Sequence, residues 1–270
     1  MSRLNKTFKA LRRAERTGLV TYVTAGDPTV ARTESILRTL DASGADVLEI
    51  GVPFSDPLAD GPVIQRASER ALAAGSTLTS TLNTLEKIRS SLDAPIVIFS
   101  YVNPILSLGV DEFGARAAAA GIDGVLVLDL PFEEGKSFLD AMAKVEIDTI
   151  GLISPTTTTI RMKETVKCSR GFLYGISRLG VTGVRTELSQ DAEALVQRIR
   201  TVSDMPVALG FGISSPEHIR EVGRWADAAV VGSGLVSVIA EFGESGDLED
   251  RIGNYVSWLI SDGLQKRSGA

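Results

Sequence analysis

The sequence predicts an α/β fold: a single-domain (β/α)8 TIM barrel over residues 1–270, with an N-terminal capping helix and extended loops after strands two and six. Three observations predict it. Short apolar, β-branched runs alternate with amphipathic helical stretches along the whole chain, an alternation that demands parallel strands joined by crossover helices. There are eight such runs, with neither a linker nor a break in composition between them. The length, 270 residues, is one at which closed barrels are single domains.

The elements follow in order. Leu4, Phe8 and Leu11 lie at helical spacing ahead of the first run, so an amphipathic helix stands ready to plug the barrel floor. The eight runs are residues 19–24, 46–51, 95–100, 123–128, 148–153, 171–176, 206–210 and 227–231. Helical patterns separate them, as where Leu78, Leu82, Leu85, Ile88 and Leu92 recur at steps of three and four. Gly44 and Gly121 stand where helices stop and a left-handed C-terminal residue is needed. The longest steps between runs follow the second and the sixth. Extra chain in a barrel builds the loops of its C-terminal face, where active sites sit. Residues 51–62 and 177–189 carry the Gly, Pro, Ser, Thr and Asp expected of lids.

Composition then narrows the chemistry. Hydrophobic residues make up 44% and charged residues 23%, the balance of a soluble protein with a sizeable core. With 28 basic and 34 acidic residues the net charge is −6, which argues against nucleic acid as a partner. A lone cysteine, Cys168, rules out an internal disulfide and reads as a small buried filler. Neither a membrane-spanning run nor a signal peptide is evident, so the cytoplasm is the expected location. One histidine, His218, excludes sites that need two imidazoles, and no metal is expected. His218 itself reads as a helix residue behind a Ser215 N-cap and Pro216. Acid–base work falls to Asp, Glu and Tyr.

Two features at the predicted barrel mouth carry chemistry. Strand seven ends in Gly210-Phe211-Gly212 and strand eight in Gly232-Ser233-Gly234. Glycines there admit an anion close to the backbone, and a helix N-terminus after strand eight directs free N–H groups at it. Gly183, in the loop after strand six, closes a third side. The plain alternative is that these are turn glycines. The second feature is Glu49, a charge inside the apolar run 46–51. Such a carboxylate is costly unless paired, hydrogen-bonded or functional. Glu49 is therefore an acid–base candidate or half of a structural ion pair. Asp60 is either a second acid or the N-cap of a helix starting at Pro62.

The stretch LEIGVPFSDPLADGPVIQ (48–65) closely resembles the signature of the tryptophan synthase alpha chain family. So do TAGDP (24–28), SYVNP (100–104), SRLGVTG (177–183) and GFGIS (210–214), in order along the chain. The resemblance implies a lyase that cleaves indole-3-glycerol phosphate to indole and glyceraldehyde 3-phosphate in tryptophan biosynthesis, without a cofactor in this chain. It implies Glu49 and Asp60 as the catalytic pair, with Tyr174 near the glutamate. Phosphate contacts carry over to Gly183, Gly212, Gly232 and Ser233. Tyr22, Phe99 and Phe211, with Leu126 or Leu128, are implied as walls for the indole ring. The family further implies a pyridoxal-phosphate beta chain as partner in an alpha2-beta2 heterotetramer, met through Asp56, Asn103 and Pro104. The chain departs from relatives at Tyr22, where phenylalanine occurs, at Leu128, where a smaller residue occurs, and at Gly234, where alanine is common. These touch pocket shape but neither acid. Rival readings are another phosphate-binding barrel, though those often place a lysine at a strand end and none lies in the eight runs, and a non-catalytic subunit.

Overall fold

The computed structural model of the protein describes residues 1–176, 187–210 and 212–263. Nine strand segments form one sheet in which every neighbouring pair is parallel. Strands one to four are Gly18–Thr24, Val47–Gly51, Ile96–Ser100 and Gly124–Val127. Strands six to eight are Leu173–Ile176, Val207–Gly210 and Ala228–Val231. The fifth strand comes in two pieces, Asp148–Thr149 and Gly151–Ile153, which are the two ends of the sheet order. Ile150 joins them, and its N–H donates to Val125 O at 2.9 Å. The sheet therefore closes on itself as the predicted eight-strand barrel, with every strand end within two residues of its predicted run and the fifth run split at Ile150.

Side chains alternate across this sheet. One set (among them Leu19, Leu48, Ile50, Ile96 and Ile98) packs outward against the helices. The other (Val20, Tyr22, Val47, Val97, Phe99, Leu126, Tyr174, Ala208 and Val230) fills the interior. The helix Arg3–Arg13 closes the floor as predicted. Ser2 caps it by accepting from Asn5 N–H, and Arg12 and Arg13 occupy the last turn, where the dipole favours cations. Its Leu4, Phe8 and Leu11 are buried with the interior set, and the Phe8 and Phe172 rings lie 5.2 Å apart. Burying three such side chains is worth roughly 5–9 kcal/mol as an upper figure.

The floor has a repeating device. Aspartates stand just ahead of strands two, four and eight. Asp46 N–H donates to Leu19 O at 2.8 Å while its carboxylate accepts from Leu19 N–H at 2.8 Å. Asp123 does the same with Ile96, and Asp227 with Val207. Each thus ties the start of an even strand to that of the odd strand before it, and each carboxylate also meets arginine: Asp46 with Arg16, Asp123 with Arg3 and Arg89, Asp227 with Arg12 and Arg200.

Two expectations are amended. The long step after strand two is filled by a loop and then two helices, Pro62–Ala73 and Leu78–Ile88, rather than by a lid alone. Cys168 is half-buried at the end of the helix Thr159–Cys168, not a core filler. His218 lies in the helix Pro216–Val222, capped by Ser215 as expected. The loop after strand six falls in residues 177–186, outside the described residues. Among the described residues no helix is long and apolar enough to cross a membrane.

Candidate active site

Glu49 is inward-facing on strand two, in register with Tyr22 on strand one and Val97 on strand three. It is fully buried, and neither carboxylate oxygen has a hydrogen-bond partner. No cation pairs with it among the described residues. Burial above all, and then the charge of Asp60, push its pKa up to about 8, and the nearby Tyr174 hydroxyl opposes this without closing a well-aligned hydrogen bond. The interior has been shaped around two tyrosines beside it. A Cβ at Gly51 would sit 2.1 Å from the Tyr22 hydroxyl, and one at Gly210 would sit 2.8 Å from that of Tyr174. Both phenols are held well above their usual pKa, first by burial and then by neighbouring carboxylates.

Asp60 is not an N-cap. The helix Pro62–Ala73 takes Gly61 in that position, with no side-chain cap bond. The Asp60 carboxylate instead accepts the Tyr101 hydroxyl at 3.0 Å. Burial raises its pKa to about 6, against the lowering effect of that hydrogen bond. The loop that carries it is braced from within, since Asp60 N–H donates to Pro57 O at 3.0 Å and Gln65 Nε2 to Asp60 O at 2.9 Å.

A cavity of about 370 Å³ opens over this pair. Its walls include Tyr22, Asp60, Phe99, Leu128, Tyr174 and Ile176, with Gly212, Gly232 and Ser233 on the side of strands seven and eight. Tyr22 and Phe99 meet edge to face at 5.3 Å. Gly212 has φ +64°, a backbone state that glycine adopts without strain. Gly232 precedes the helix Ser233–Phe242, whose first N–H groups have no side-chain cap. The arrangement offers an apolar slot at one end, an anion cradle at the other and two carboxylates of unlike pKa beside them.

Of the residues expected here, Tyr22, Phe99, Tyr174, Asp60, Gly212, Gly232 and Ser233 share the cavity, with Glu49 buried beside it. Leu128 lines it and Leu126 does not, being wholly buried in the interior set. Gly183 and Phe211 lie outside the described residues. Ile64 and Ile176 were missed; nothing in a linear sequence separates an apolar residue that lines a cavity from one beneath it. Asp56 and Asn103 are exposed, and Pro104 is partly so. Two exposed leucines lie near them in the chain, Leu58 at 90% and Leu106 at 56% exposure. A second cavity, about 410 Å³, lies by strands four and five and is larger. Its one carboxylate, Asp129, accepts Val102 N–H at 2.7 Å, and it contains neither buried acid. Asp60 lines the smaller one, and Glu49 is buried beside it.

Comparisons with known proteins agree. The family model described as tryptophan synthase alpha chain matches residues 8–255. The tryptophan synthase alpha chain of Solibacter usitatus is 48% identical over 259 residues, covering 96% of this chain and 97% of the relative. That of Picosynechococcus is 44% identical over 241 residues, or 89% and 91% of the two chains. Among solved structures, tryptophan synthase subunit alpha from Legionella pneumophila superposes with a TM-score of 0.90 at 37% identity, covering 97% of this chain and 98% of the other.

Proposed function

The chain belongs to the tryptophan synthase alpha chain family and is a carbon–carbon lyase cleaving indole-3-glycerol phosphate to indole and glyceraldehyde 3-phosphate, and we propose that Glu49 and Asp60 carry out that cleavage at the mouth of one barrel domain. The observation that carries the proposal is the pair of unlike carboxylates. At neutral pH Glu49, with its pKa near 8, holds a proton, whereas Asp60, near 6, is ionised. Neutral Glu49 donates to C3 of the indole, and Asp60 accepts from the ring N–H as positive charge develops there. Glu49, now a carboxylate, takes the proton of the side-chain hydroxyl next to C3. The C–C bond breaks, its electrons return to the ring, and the hydroxyl carbon leaves as the aldehyde. The ring nitrogen recovers its proton, leaving neutral indole. Tyr174, beside Glu49, orients the glutamate, and Tyr22, Phe99 and Leu128 hold the ring. Gly212, Gly232 and Ser233 hold the phosphate, with Gly183 and Phe211 assigned to the same substrate by family resemblance.

The chemistry uses only protons these residues supply, so the reading assigns no cofactor to this chain and leaves pyridoxal phosphate to a beta chain. That partner, in a cytoplasmic alpha2-beta2 assembly, docks on the face of Asp56, Asn103 and Pro104. The exposed Leu58 and Leu106 support this surface, since contact faces combine apolar centres with polar rims.

The test is direct. The purified chain is incubated with indole-3-glycerol phosphate and indole release is followed against pH. A bell with limbs near 6 and 8 supports the assignment, because the rate needs Asp60 ionised and Glu49 protonated. A rate flat across that window removes the pair from the chemistry.

A further inference from the structure

Tyr101 is the first residue beyond strand three, and it reaches into the loop that carries Asp60. Its hydroxyl makes two bonds there: it accepts Ala59 N–H at 3.0 Å and donates to Asp60 Oδ2 at 3.0 Å. The tyrosine is itself fixed. Its carbonyl accepts the Ser100 hydroxyl at 2.8 Å, and the next residue, Val102, donates its N–H to Asp129 Oδ1 at 2.7 Å. The Phe54 ring lies 5.1 Å from the Tyr101 ring at 33°. Tyr101 is 5% exposed and is not among the residues lining the cavity, so it is not placed to touch substrate.

We propose that Tyr101 is a positioning residue for the cleavage reaction: its hydroxyl holds Asp60 Oδ2 and the Ala59 amide together, leaving Oδ1 aimed at the ring N–H. The proposal rests on Asp60 being the acceptor of that proton. A carboxylate on a surface loop samples several rotamers, and a misplaced acid loses most of its catalytic effect. The backbone brace from Gln65 fixes the Asp60 carbonyl but not its carboxylate. Tyr101 supplies that second constraint from a different strand, and donating to the ionised form also favours ionisation of Asp60.

Tyr101→Phe keeps the ring against Phe54 and removes only the hydroxyl. The expected result is a fall in kcat of about 10- to 100-fold, the worth of one hydrogen bond to a charged group. KM should stay within about twofold, because Tyr101 does not line the cavity. The acid limb of the pH–rate profile should move to higher pH. Glu49, Tyr22 and Tyr174, which also act on this cluster, and Asp129, which acts on Tyr101, are the same in both proteins. In an Asp60→Asn background, adding Tyr101→Phe should change kcat by less than about twofold, since a residue acting through Asp60 has nothing left to position. Full loss in both backgrounds, with multiplicative effects, would overturn the proposal by giving the tyrosine an independent role. So would Tyr101→Phe with more than half of wild-type kcat and an unmoved acid limb. If Asp60→Asn alone cleaves at the wild-type rate, the reading of Asp60 fails first and the proposal with it.

Discussion

The two ends of this barrel treat carboxylates in opposite ways. At the floor, Asp46, Asp123 and Asp227 each accept a backbone N–H and each faces arginine. For Asp227, flanked by Arg200 and Arg12, the arginines and backbone donor outweigh burial and the pKa falls below the usual value, whereas at Asp123 burial outweighs its backbone donor and arginines and the pKa rises. At the mouth, Glu49 and Asp60 face tyrosines and each other, and their pKa values rise. Asp27 shows that position alone is not the rule. It lies at the end of strand one but turns onto the Pro62–Ala73 helix, where Arg70 takes both oxygens at 2.8 Å. What separates Asp46, Asp123, Asp227 and Asp27 from Glu49 and Asp60 is a cation within reach: each of the four has one, and no arginine or lysine pairs with either mouth acid among the described residues. A paired acid could not exchange a proton near neutral pH.

The comparison is broken most severely by removing a mouth acid. Glu49→Gln should lower cleavage by about 100- to 10,000-fold, the usual contribution of a positioned acid–base group. Below pH 4.5, where Glu49 is protonated in the folded and unfolded states alike, folding free energy should change by no more than about 1 kcal/mol, because the amide fills the same space. Indole-release kinetics and denaturant unfolding check the two halves. A variant with a tenth or more of wild-type turnover takes Glu49 out of the chemistry.

Asp227→Asn is the mirror experiment. It leaves Arg12 and Arg200 without their shared anion and weakens the tie to Val207 N–H. Losing one member of a buried pair costs about 3–5 kcal/mol. Both arginines are partly exposed and can return to water, so a loss of about 2–3 kcal/mol is expected. Turnover under folding conditions should stay within about twofold. If Asp227→Asn impairs cleavage more than folding, the two ends do not divide function as described.

How much of this could be read from the sequence depends on how local each cue is. Glu49 was legible because a charge at an inward position of an apolar strand has few explanations. The glycine-rich side of the cavity was legible because glycines recur at the ends of strands seven and eight. Asp60 was ambiguous: a carboxylate two residues before a helix proline reads equally as a cap, and only the structure gives Gly61 that position. Tyr101 and Asp60 are 41 residues apart, so their bond leaves no periodicity to find. The floor aspartates were visible as strand openers. Their purpose was not, because Arg16 reaches Asp46 across 30 residues and Arg12 reaches Asp227 across 215.

A smaller effect sharpens the comparison through pH. The folded pKa of Glu49 is above its unfolded value of 4.5, so the folded state holds a proton that the unfolded state has released. Stability from this group is full below pH 4.5 and falls as pH rises towards 8, by at most about 1.4 kcal/mol per pH unit. Asp60 acts with the same sign from 3.8 to about 6. Asp227 has the opposite sign: its folded pKa lies below 3.8, so its contribution is present above that value and is lost as pH falls through the folded pKa. Unfolding free energies of wild type and Glu49→Gln, measured from pH 5 to 9, should therefore diverge in favour of the variant as pH rises. Parallel curves would mean that Glu49 titrates normally.

The smallest effect asks which arginines at the floor carry the pairing. Arg3 approaches Asp123 at 3.7 Å with its side chain 45% exposed, whereas Arg89 lies 3.5 Å away and is 12% exposed. An exposed ion pair is worth about 0–1 kcal/mol, because water screens it and a long side chain must be held in place. Arg89 is more firmly set: its Nε donates to Gly121 O at 2.9 Å and its Nη1 to Leu92 O at 2.8 Å, so its charge stays beside Asp123 whether or not Arg3 is present. Asp123 also keeps the Ile96 N–H at 2.9 Å. Arg3→Ala should therefore cost less than about 1 kcal/mol, and raising salt should erase much of that. Arg89→Ala should cost more, since it removes the buried cation and leaves the carboxylate only the exposed Arg3 and the Ile96 N–H. If Arg3→Ala proves the more damaging in denaturant unfolding, the floor is held by the exposed rim of the plug helix rather than by cations set into its wall.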